Sequence, residues 1–137
     1  MIAGHSLGGA IATLLTADWL TQDPSLDLTL VTAASPAVGD YAFFTQFNSL
    51  VPNSYRYNNY FDTVANFLDV AYYQVDTEIS LYSYDIIFTP ECEHSLVTYV
   101  YLLSPSGTDC NFSCCLFDEA KKSALRTLHE SRLSRRS

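Results

Sequence analysis

The sequence predicts an α/β fold built on a parallel sheet, and three observations carry that reading. Apolar runs alternate with helical patterns from the first residue to about residue 60, an order that builds parallel strands joined by crossover helices. The strand segment at 26–35, "LDLTLVTAAS", is short, β-branched and densely apolar at its middle, as suits a strand covered on both faces. The opening "MIAGHSLGGAIATLL" puts an apolar stub, a glycine-flanked serine and a helix start in direct succession.

The elements follow in order. Met1, Ile2 and Ala3 read as the end of a strand. Residues 7–22 read as a helix, with Leu7, Ile11, Leu14 and Leu15 on one face and Asp18 and Gln22 toward water. Pro24 in "QDPS" ends it. A strand is expected near 28–33, then a turn at "PAVGD", then a helix over 40–50 with Asp40 as its N-cap. "SYRYNNY" places a strand near 54–58. The runs "VAYYQV" and "EISLYSY" are separated by Asp76 and Thr77, which predicts a hairpin near 70–84. Residues 94–103 read as a helix presenting Leu96, Val97, Val100, Tyr101 and Leu103, although β-branched and aromatic content also admits a strand. A loop over 104–115 leads to an amphipathic helix over 117–133, with Phe117, Ala120, Ala124, Leu125 and Leu128 on one face. The division expected is therefore 1–103 for the α/β unit and 104–137 for a Cys-containing loop and basic helical tail.

The net charge of −8 conceals an asymmetry. Residues 1–120 hold 14 acids and one base, Arg56, and residues 121–137 hold six bases and Glu130. An acidic body argues against a nucleic-acid partner, because phosphate contacts need Lys and Arg. The cysteines at 92, 110, 114 and 115 are even in number and clustered late. That pattern favours disulfides and a secretory setting, with free thiols as the alternative. Adjacent Cys114 and Cys115 are poor partners for each other, and the spacing matches no common zinc pattern, so no metal is expected.

Gly4-His5-Ser6-Leu7-Gly8-Gly9 is the chemically loaded stretch. A serine on a sharp strand-to-helix turn is lifted above the sheet end, where its hydroxyl can act as a nucleophile. Gly4 and Gly8 are expected to flank the turn because side chains there would collide. Gly9 is expected to let the helix pack closely, and the Leu7 N–H to face a developing oxyanion. A nucleophilic serine needs a base, and three histidines are available. His5 lies inside the turn and is expected to point away from the reaction face. His129 sits in the basic tail helix. His94, at a loop-to-helix junction in "PECEHSLVTY", remains as the base. An orienting carboxylate between residues 7 and 93 completes the chain order Ser, acid, His. Asp62 follows a strand end in "RYNNYFDTVANF" and fits best, with Asp69 second. Asp40 is explained as a cap, and Asp76 and Asp85 border the expected hairpin. No cofactor is needed for this chemistry.

With these segments in place the chain resembles the fungal-type, or class 3, lipases, which are α/β-hydrolases acting on acylglycerols. "GHSLGGAIATLL", "VTAASPAVGDYAFFTQFN", "SYRYNNYFDTVANF", "AYYQVDTEISL" and "HSLVTYV" resemble successive family segments from residue 2 to about 103. The resemblance implies Ser6 as nucleophile, Asp62 as acid and His94 as base, on a lipid ester substrate at an interface. Ala65 and Asn66 depart from the prolines usual after the acid, and Gln74 and Asp76 from the family's His and Gly. The resemblance also implies a region ahead of the serine turn that holds the first half of the sheet, a lid and a second oxyanion donor. The expectation is thus the C-terminal part of a partial α/β-hydrolase fold, needing an upstream segment or partner chain. A non-catalytic homologue that binds a partner or lipid, or a piece of a phospholipase A1 or acyltransferase, are the alternatives.

Overall fold

The computed structural model describes residues 1–68, 71–105, 110–116 and 119–134. Four strands, β1 (Ile2–His5), β2 (Leu30–Ala33), β3 (Ser54–Asn59) and β4 (Thr77–Leu81), form one sheet in the order β1-β2-β3-β4. Every pairing is parallel. Helices α1 (Leu7–Gln22) and α2 (Tyr41–Leu50) connect the first three strands. The short α3 (Pro90–Glu93), then α4 (Leu96–Leu103) and α5 (Glu119–Ser134), complete the order.

Local chemistry explains the helix starts. The Asp40 carboxylate caps α2 by accepting the Phe43 N–H at 2.9 Å. Thr89 caps α3 through the Cys92 N–H, with Pro90 in the first turn, where a missing N–H costs nothing. Ser95 caps α4 through the Val97 N–H.

The sheet carries apolar clusters on both faces. Leu30 joins Ala12, Leu20, Phe47, Val51 and Val75 in one. Ala34, Ala65 and Tyr99 form the other, with Ala33 and Tyr57 packed against it. Leu30 and Ala33 point to opposite sides of β2 by the strand's period of two.

Three expectations change. Residues 70–84 make no hairpin among the described residues. β4 lies parallel to β3 with Arg56 opposite Glu78, and Tyr73 instead bridges Gly39. Asp76 takes φ 76° and turns the chain there. β3 offers a longer, already supported edge than a two-stranded ribbon would, and isolated hairpins are marginal in water. The Arg56 guanidinium reaches the Glu78 carboxylate at 2.6 Å and the Val75 carbonyl at 3.2 Å. That pairing ties the new edge strand to the sheet.

The second change is α1, which is turned over. Its sheet face is Gly9, Ala10, Ala12, Thr13, Thr16 and Leu20. Leu7 is 69% and Ile11 57% exposed, and Leu14, Leu15 and Trp19 are exposed with them. Small residues win the inner face because α1 lies close to the sheet: a Cβ on Gly9 would stand 2.8 Å from the Ser35 Cβ, two residues past β2, and 3.2 Å from the Gly4 carbonyl oxygen in β1. In α4, likewise, Thr98 and Tyr99 are buried, while Leu96, Val97, Val100 and Leu103 face out.

All four cysteines are paired, Cys92 with Cys114 and Cys110 with Cys115. The second expected acid, Asp69, lies outside the described residues, as do Phe117 and the side chains of Ala120, Leu125 and His129. Leu128, placed on an apolar face of the tail helix by its pattern, is exposed. Lys122 and Arg126 instead reach Asp85, at 3.7 and 3.5 Å.

Candidate active site

The end of β1 runs straight into α1 through Ser6, which has φ 56° and ψ −130°. A non-glycine residue there is strained by roughly 1–3 kcal/mol. The turn is held because Ser6 donates its backbone N–H to the Ala33 carbonyl and accepts from Gly9 and Ala10. Its side chain makes no cap bond to the helix. The crowding expected at Gly4 is present: a Cβ there would lie 2.3 Å from the Gly8 carbonyl oxygen. At Gly8 the expected collision is absent, since a Cβ would meet nothing.

Ser6, His94 and Asp62 are brought together from three parts of the chain. The Ser6 Oγ stands 2.6 Å from His94 Nε2. His94 Nδ1 donates to Asp62 Oδ2 at 2.8 Å and lies 3.1 Å from Oδ1. A carboxylate only accepts, so the neutral ring carries its proton on Nδ1 and leaves Nε2 bare to accept the serine proton. Asp62 is 0% exposed. Its Oδ1 accepts the Val64 and Ala65 N–H groups, each at 3.0 Å, and its Oδ2 accepts the Tyr99 hydroxyl at 2.8 Å. Such donors are what a buried carboxylate requires. With Ala65 N–H among them, the turn after Asp62 is fixed without the family's prolines.

Two residues of this cluster escaped the sequence reading. Tyr99 donates to Asp62 and accepts the Asn59 N–H at 3.0 Å. Burial, above all, raises its phenol. Its helix pattern put it off the apolar face, so nothing distinguished it from nine other tyrosines. His5 points toward the site rather than away: its ring lies 5.1 Å from that of His94, and its Nε2–H donates to the His94 carbonyl at 2.9 Å. Burial lowers the His5 pKa, the bond to the His94 carbonyl opposes it, and the nearby His94 ring lowers it further. An open cleft lined by His5, Val64, Pro90, Glu91, His94 and Ser95 gives access to the cluster.

A four-stranded parallel sheet with flanking helices, with a serine turn at the end of its first strand, is a partial α/β-hydrolase fold. The chain belongs to the class 3 lipase family: the family profile, Lipase (class 3), matches residues 1–71, more than half of the 137. The chain is similar to the Rhizomucor miehei lipase in its native propeptide complex, at 31% identity and TM-score 0.54 over 58% of this chain and 27% of that one. It is similar to the lipase from Rhizopus microsporus var. chinensis, at 28% identity and TM-score 0.50, over 58% and 29%. A mutant form of MDLA from Penicillium cyclopium is similar at 26% identity and TM-score 0.52, over 82% and 34%. The chain therefore spans about a third or less of each of these proteins. No curated protein sequence matches it.

Proposed function

We propose that this chain carries the reacting groups of a serine ester hydrolase that cleaves lipid esters. The observation that supports this most is the continuous contact from Ser6 Oγ through His94 to buried Asp62. In the proposed reaction the Ser6 oxygen attacks the ester carbonyl while its proton passes to His94 Nε2. Asp62 holds the ring and stabilises the cation that forms. The Leu7 backbone N–H, in the first turn of α1, donates to the oxyanion, aided by the helix N-terminus. His94 returns the proton to the departing alcohol. Water, deprotonated by His94, then releases the carboxylic acid and restores Ser6.

A second reading, that residues 1–137 alone turn over slowly or not at all, is favoured by the exposed apolar face of α1. The resemblance implies a second oxyanion donor and a lid, and no group among the described residues is assigned to either. Loss of one such donor costs roughly 3–4 kcal/mol, or at least a hundredfold in rate. The two disulfides and the family suit an oxidising, secretory compartment.

Labelling with a fluorophosphonate beside turnover of a short p-nitrophenyl ester tests this. The expected result is labelling by the wild-type chain, abolished in Ser6→Ala and His94→Ala, with ester turnover slow. Labelling that survives Ser6→Ala would remove the assignment.

A further inference from the structure

Glu93, next to His94, is a buried acid that the proposed reaction does not use. It is 2% exposed. Asn59 Nδ2 lies 2.6 Å from Glu93 Oε2 and 3.2 Å from the Glu93 carbonyl. Both are acceptors, which fixes the Asn59 amide with its NH2 toward Glu93 and its Oδ1 away. Ser83 Oγ contacts both Glu93 Oε2 and, at 3.0 Å, Asn59 Oδ1. A hydroxyl has one proton and can donate to only one of them. With an ionised Glu93, Ser83 faces two acceptors and one contact is unmade. With a protonated Glu93, Oε2–H donates to Ser83 Oγ, Oγ–H donates to Asn59 Oδ1, and every contact has one proton.

We propose that Glu93 is a positioning residue for His94 and acts as a neutral carboxylic acid, its proton closing the relay that locks the His94 turn to β3. The relay ties the residue before His94 to Asn59, whose own N–H is bonded to Tyr99, the donor to Asp62. Electrostatics agree. Burial pushes the Glu93 carboxyl up to about 7, its bonds from Ser83 and Asn59 oppose this, and the Asp62 charge adds to it. The titratable groups around it are Asp62 after β3, Tyr99 on α4, and His94 and exposed Glu91 on its own turn. Ionisation would bury a second negative charge beside Asp62 and unmake one contact of the relay. This inference rests on the serine-hydrolase reading for its rate effect, but not for its structural effect.

Two measurements on the full chain test it. The first is the rate of Ser6 labelling by a fluorophosphonate in wild type, Glu93→Gln and Glu93→Ala, at about pH 5.5 and about pH 8.5, on either side of the shifted carboxyl. Glu93→Ala should be about tenfold slow at both. Glu93→Gln is neutral, but no one atom of its amide can both accept from Asn59 Nδ2 and donate to Ser83 Oγ. It should lie about threefold below wild type at the lower pH and, with no charge to bury, draw level with or pass it at the higher. A Gln-to-wild-type ratio that does not rise with pH overturns the proposal. Should Glu93→Ala fail to fold, the Gln comparison decides alone. The second is the NMR signal of the His94 Nδ1–H, which reads the bond to Asp62 without any turnover. It should weaken at the higher pH in wild type and persist in Glu93→Gln; equal signals overturn the proposal. Absence of Ser6-dependent labelling would sink the hydrolase reading, and the NMR comparison would still judge Glu93.

Discussion

Glu93 also makes a stability statement. Its folded carboxyl titrates at about 7 against an ordinary value of 4.5. The folded state therefore binds the proton more tightly than the unfolded chain does. The stabilisation is complete below about pH 4.5 and is lost as pH rises to about 7, a change of about 1–3 kcal/mol. Glu93→Gln keeps a neutral side chain at every pH. Its stability relative to wild type should rise by about 1–3 kcal/mol between about pH 4.5 and pH 8 in urea titrations. A constant difference would mean that Glu93 is already ionised in the folded chain at the lower pH. Single residues were legible in proportion to their local signature. Ser6 stands between flanking glycines, Asp62 follows a strand end, and His94 precedes a helix. Glu93 and Tyr99 have no such mark, because their partners Asn59, Ser83 and Asp62 lie 10 to 37 residues away.

Helix α1 shows how an element can be located correctly and faced wrongly. Its span was readable from its length, its Gly-rich start and Pro24. Its orientation was not, because it carries apolar residues on nearly every side. Where both faces are apolar, closeness to the sheet decides, and small residues go inward. The face left out, Leu7, Ile11, Leu14, Leu15 and Trp19, is a hydrophobic surface of a kind that drives association. The isolated chain should self-associate with concentration, each newly covered side chain contributing about 1.5–3 kcal/mol. Sedimentation of Ile11→Lys combined with Leu14→Gln should shift toward monomer. Equal behaviour of variant and wild type would show that this face is not the adhesive one. β4 makes the complementary point: its β character was legible, but its partner was set by the Arg56–Glu78 pair across a parallel register.

The acidic α/β body and the basic tail are joined beside the site. Cys92, two residues before His94, is bonded to Cys114, and Leu116 donates its N–H to the Asp85 carbonyl. Lys122 and Arg126 add charge pairing at Asp85, and Arg126 lies 5.6 Å over the Tyr84 ring. Closing a loop of 22 residues restricts the unfolded chain and contributes about 3 kcal/mol. Cys92→Ser with Cys114→Ser should lower stability by about that amount, measured by urea unfolding without reductant. Its Ser6 labelling should fall even where the chain remains folded, because the His94 turn loses its tether. Unchanged labelling would show that the relay through Asn59 holds the turn unaided.

The sequence by itself determined the parallel α/β alternation, the family, the serine turn and the order in which Ser6, Asp62 and His94 occur. These are local matters: periodicity, turn chemistry and the spacing of reactive residue types within short segments. Only the tertiary structure decided which face of α1 and α4 is buried, that β4 pairs with β3, which cysteines join, and that His5, Tyr99 and Glu93 converge on the site. Each of those depends on what another part of the chain places opposite, and hydrogen-bond and packing partners far apart in sequence leave no periodic trace within it.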